Sequence, residues 1–173
     1  MYTHTLNKQK GFTLIELLLY MAISSVIVFV ISGVSIDMLR ASQKTENLQE
    51  VGYVSSFVLA TLQRISSGAY AVTNPASTAT SSSVTFSMYD PLLDPSVVSL
   101  VDGVLYLQEG TAAPIPLHSN DMQSTVTYSN KSPLDGYHSV QVQLGVSIVT
   151  ESLLASEQAH LETATTLTLQ YTP

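Results

Sequence analysis

Three rhythms of hydrophobic and polar positions follow one another along this chain. From Leu17 to Ile36, twenty consecutive residues (LLLYMAISSVIVFVISGVSI) carry no charge. At about 1.5 Å per residue, a helix of that length spans about 30 Å, the thickness of a bilayer's hydrocarbon core. Pro75 is the first proline, so nothing in this run forces a kink. Past Arg40 the rhythm becomes amphipathic. Leu48, Val51, Ser55, Val58, Leu62 and Ile65 are spaced by 3, 4, 3, 4 and 3 residues, five of the six are apolar, and Lys44, Glu46, Glu50 and Arg64 fall elsewhere. That spacing predicts one stripe of a helix. Ser66-Ser67-Gly68 supplies its stop, glycine being suited to a C-terminal cap.

Beyond the polar, low-complexity stretch Asn74–Ser83, which reads as a loop, the period shortens to two. Val84, Phe86 and Met88 alternate with Thr85, Ser87 and Tyr89. A short apolar strand is predicted over Val104–Gln108 after the turn signal Asp102-Gly103, and others over Thr125–Tyr128, Val140–Ile148 and Thr165–Tyr171. Glu151–Glu162 reads as a short helix or a surface insertion. Alternation of this kind predicts an antiparallel sheet with one buried face. Packed on the Leu48–Ile65 stripe, it gives an α+β architecture with one core.

The residues flanking the apolar run set its orientation. Lys8 and Lys10 stand just before it and the chain turns acidic after it, which places the N-terminus in the cytoplasm and the bulk of the chain outside. The run is too long for the core of a cleaved secretory signal, and no A-x-A site follows Ile36. A lipoprotein signal needs a cysteine, and there is none. A plain anchor fits the length but leaves Glu16 without a role. A carboxylate at the centre of a spanning helix costs about 2.5–3.5 kcal/mol, and less near an end, where it can reach the interface.

Lys10-Gly11-Phe12-Thr13-Leu14-Ile15-Glu16, followed at once by the apolar run, closely resembles the cleavage and methylation signal of type IV pilins and type II secretion pseudopilins. The resemblance implies a leader over residues 1–11, cut after Gly11 by a membrane-embedded prepilin peptidase, and a methylated N-terminus at Phe12. Glu16 matches the family's acidic residue, which pairs with the N-terminal amine of a neighbouring subunit in the fibre. The physical chemistry agrees with each assignment. Glycine leaves the scissile bond unobstructed, and the new amine would lie one helical turn from Glu16. A charge that is costly alone in lipid marks register once a partner neutralises it.

The family's fold is then expected: one continuous helix of about 80 Å from Phe12 to Ser66, its first half in the membrane or fibre core and its second packed on a sheet. Residues 12–39 would form the transmembrane segment, 40–68 its amphipathic continuation, 69–83 a polar loop and 84–173 a β-rich head. The order of short strands loosely resembles the heads of minor pilins and J-type pseudopilins. The missing cysteine pair, and the missing proline in the hydrophobic half, depart from common major-pilin patterns and favour a minor subunit. Implied partners are the prepilin peptidase, other subunits, the inner-membrane assembly platform and the lipid bilayer.

Composition narrows the remaining classes. The net charge of −7, with only six Lys and Arg, argues against direct nucleic-acid binding. Hydrophobic residues at 45% and a mean hydropathy of +0.26 exclude a disordered chain. The histidines His4, His118, His138 and His160 are scattered, and no metalloprotease, nucleophile-elbow or phosphate-loop motif is present. The expectation is therefore no enzyme, no cofactor and no metal. Asp90 with Asp94, and Asn120 with Asp121, read as solvated loop residues, since neither pair has the spacing of a calcium loop. The alternative from another class is a membrane-anchored binding or adhesion module that joins no filament.

Overall fold

The computed structural model describes residues 13–132, 139–148 and 159–169. It falls into two units, the first ending at Ser42 and the second beginning at Gln43. One helix, α1 (Leu14–Gly68), contributes to both. In the first unit every helical side chain is exposed, Phe29 by 81%. In the second, α1 buries Val51, Ser55, Val58, Leu62, Ile65 and Ser66. The predicted stripe is thus confirmed from Val51 onward. Leu48, expected as its first member, is 44% exposed. The helix stops at Gly68, as its cap signal predicts.

Nine strands follow among the described residues: β1 (Ala69–Asn74), β2 (Thr80–Ser81), β3 (Ser83–Met88), β4 (Ser96–Val101), β5 (Val104–Glu109), β6 (Ile115–Pro116), β7 (Met122–Asn130), β8 (Ser139–Ile148) and β9 (His160–Thr168). They form two sheets, both antiparallel throughout. One has the order β1-β3-β4-β5-β6 and the other β2-β7-β8-β9. The α+β arrangement is as expected, with two sheets in place of the single one. Residues 69–83, expected as a loop, hold β1 and β2. The polar side chains of β1 do not prevent pairing, because its backbone closes on β3 while only Ala69 and Val72 turn fully inward.

β4 escaped the sequence reading for a different reason. SVVSLV has no clean alternation, because the strand lies between β3 and β5 and is partly covered on both sides. Its turn into β5 was legible. Asp102 (φ 50) and Gly103 (φ 81) form a two-residue hairpin between the paired Val101 and Val104, with the positive φ at both positions that an Asp-Gly type I′ turn requires. β9 begins well before the expected Thr165, so Glu162 belongs to a strand. Residues 151–158 and Tyr171 lie outside the described residues.

The helical stripe and the inner faces of both sheets share one hydrophobic cluster. Leu62 from α1, Phe86 and Leu105 from the first sheet, and Tyr128 and Leu144 from the second are all fully buried within it or nearly so. Each large apolar side chain so buried contributes about 1.5–3 kcal/mol relative to exposure. The sheets are also joined by polar contacts. The backbone N–H of Ser124 in β7 donates to the Gly103 carbonyl at 2.7 Å. The buried His118 stands between the sheets, bonded to Leu105 of β5 and Ser124 of β7.

Candidate processing and assembly site

The first unit presents a short polar start followed by an apolar helix. Its helix begins where Thr13 ends: the Thr13 carbonyl accepts the N–H groups of Glu16 at 3.1 Å and Leu17 at 3.2 Å. Thr13 therefore occupies the N-cap and Glu16 the third helical position, the spacing of a Thr-x-x-Glu capping pair. A carboxylate in the first turn also meets the positive end of the helix dipole. The first-turn position gives Glu16 a favourable local setting as well as a place in the motif. Sequence reasoning singled out Glu16 and passed over Thr13, although the Thr-x-x-Glu spacing was there to find.

Downstream, the helix meets the demands of a lipid environment. Its most apolar 18-residue window has a mean hydropathy of 2.5, and none of that window is buried within the protein. The hydroxyls of Ser25, Ser32 and Ser35 donate to the carbonyls of Ala22, Val28 and Ile31, each at 2.8 Å. These three hydroxyls are thus satisfied within the helix, as a hydrocarbon medium requires. Tyr20 is exposed on the same helix. Asp37 and Arg40 approach to 4.0 Å and are both largely exposed, closing the apolar segment with a loose ion pair.

Gly11 and Phe12, the residues expected to flank the cleaved bond, lie outside the described residues, as do His4 and His138. The remaining candidate residues are not gathered into one place by the fold. His118 is buried in the loop before β7, whereas His160 is exposed on β9 beside Glu162 at 3.2 Å. The loop carboxylates act on their own turns. Asp94 accepts the N–H of Met88 and Asp90 that of Leu92, both at 2.9 Å. The Ser119 hydroxyl donates to Asp121, and this bond holds the Asp121 carboxyl below the usual aspartate range. Among the described residues no cluster of three or more His, Asp or Glu has the geometry of a metal site.

An apolar, outwardly exposed N-terminal helix joined to an α+β head fits a single-pass membrane anchor. The class becomes more specific at the N-terminus itself. Residues 6–32 match the family model described as the prokaryotic N-terminal methylation motif, so the chain carries the prepilin-type signal of type IV pilins and pseudopilins. Such a signal implies processing by a prepilin peptidase and assembly with other pilin subunits. The matched residues contain Gly11, Phe12 and Glu16 and run into the exposed apolar helix. No curated protein and no solved structure matches the chain.

Proposed function

We propose that this protein is a minor pilin or pseudopilin, a structural subunit with no enzymatic activity of its own. It is made as a prepilin with residues 1–11 as the cytoplasmic leader. The prepilin peptidase cuts between Gly11 and Phe12 and methylates the amine of Phe12. The helix holds the subunit in the inner membrane with the head outside, until an assembly platform passes it into a pilus or a type II secretion pseudopilus. There Glu16 pairs with the N-terminal amine of a neighbouring subunit. The minor role, at the tip or in initiating assembly, is supported by the absence of cysteines and of proline in the apolar helix.

The observation that carries this reading is the junction of a methylation motif at residues 6–32 with a helix whose apolar window is wholly unburied. Mass spectrometry of the N-terminus tests it. The mature chain is expected to start at Phe12 with one added methyl group, and Gly11→Leu is expected to keep its leader. An intact Met1 in the wild-type protein, or a cut beyond Ile36, overturns the proposal.

A further inference from the structure

His118 is the one histidine buried among the described residues, and its ring is fully engaged. Nδ1 lies 2.9 Å from the carbonyl oxygen of Ser119, which can only accept, so Nδ1 carries the hydrogen. Nε2 is then a bare acceptor. It receives the backbone N–H of Leu105 at 3.2 Å and the Ser124 hydroxyl at 2.8 Å. These two donors come from different sheets, Leu105 from β5 and Ser124 from β7. Leu105 is wholly buried and its own carbonyl is taken by the N–H of Leu117 at 2.8 Å, so its N–H has no water to turn to.

From this geometry we propose that His118 is an acid-sensitive latch between the two sheets. A second proton on the ring must sit on Nε2. The Ser124 hydroxyl can rotate and accept that proton's hydrogen bond. The Leu105 N–H cannot: it would face another N–H, and a buried donor would be left without a partner. The latch is whole while the ring is neutral and loses its β5 side when the ring takes up a second proton. The groups bonded to the ring from β5 and β7, Leu105 and Ser124, are uncharged. The charged group that faces it is Asp121, in its own loop. The proposal is independent of the processing reading, since every group in it belongs to the head.

Amide hydrogen exchange on the full chain in detergent micelles tests it, with protection corrected for the intrinsic effect of pH. Between about pH 7.5 and pH 5, the Leu105 amide is expected to lose protection by tenfold or more relative to Val98 in the neighbouring strand. His118→Gln offers an acceptor that does not titrate and is expected to abolish the difference. If Leu105 and Val98 in the wild-type protein change in parallel, the latch is overturned. It is equally overturned if His118→Gln loses Leu105 protection in acid to the same extent. The wild-type comparison stands whether or not the variant folds.

Discussion

Gly110 packs against the backbone of Leu92 so closely that a Cβ at position 110 would collide with the Leu92 carbonyl oxygen. The glycine also has a φ of +56° and donates its N–H to the Pro95 carbonyl at 3.0 Å. The end of β5 is thereby pinned to the loop before β4 by a residue that no L-side chain replaces without strain. Gly110→Ala is expected to destabilise the head by about 1–3 kcal/mol, from the left-handed backbone and the displaced carbonyl together. Gly52 provides the contrast. It lies within α1 with nothing within 4 Å of its would-be Cβ, so Gly52→Ala is expected to stabilise by about 0.5–1 kcal/mol. Denaturation of the two variants, side by side in detergent, should give Tm shifts of opposite sign.

Tyr128 is fully buried, and its hydroxyl has no hydrogen-bond partner among the described residues. An unsatisfied buried hydroxyl costs about 1–3 kcal/mol, so Tyr128→Phe is expected to raise stability. Burial also pushes the phenol's pKa upward. The sign follows: below the ordinary tyrosine pKa of about 10 the group is neutral in both states, and above it only the unfolded chain ionises readily. Stability is therefore lost as the pH rises past about 10. Equilibrium unfolding at pH 8 and pH 11 should show a steeper alkaline loss in the wild type than in the Phe variant. Equal losses would mean that the phenol is not sealed in the core.

Arg64 of α1 reaches Glu109 of β5 at 2.8 Å, with 57% of the arginine side chain exposed. A pair this open to solvent is worth little despite its good distance. Arg64→Ala is expected to change stability by less than about 1 kcal/mol, and less still in high salt. A larger loss, persisting at 1 M salt, would assign the arginine a packing role beyond its charge.

Glu16→Ala is expected to insert in the membrane and to be cleaved like the wild type, while its share of sheared filaments falls several-fold. Loss of the carboxylate in the first turn removes only about 0.3–1 kcal/mol of helix stability, too little to prevent folding. Quantitative blotting of membrane and filament fractions separates the two roles of the residue. Normal incorporation would reduce Glu16 to a first-turn carboxylate with no part in assembly.

The two kinds of information divided along physical lines. Local pattern was enough for the apolar run, the stripe from Val51 to Ile65, the stop at Gly68 and the Asp102-Gly103 turn, because each depends on neighbours within a few residues. It was also enough for the motif around Gly11, Phe12 and Glu16, which a processing enzyme must read as sequence. Tertiary structure decided what depends on partners distant in the chain. β4 is a strand because β3 and β5 flank it, β1 because β3 accepts its backbone, and the alternating segments divide into two sheets because β7 pairs with β8 and not with β5. His118 shows the difference most clearly. By sequence it is one of four scattered histidines, and only the approach of Leu105 and Ser124 from separate sheets gives its Nε2 a task.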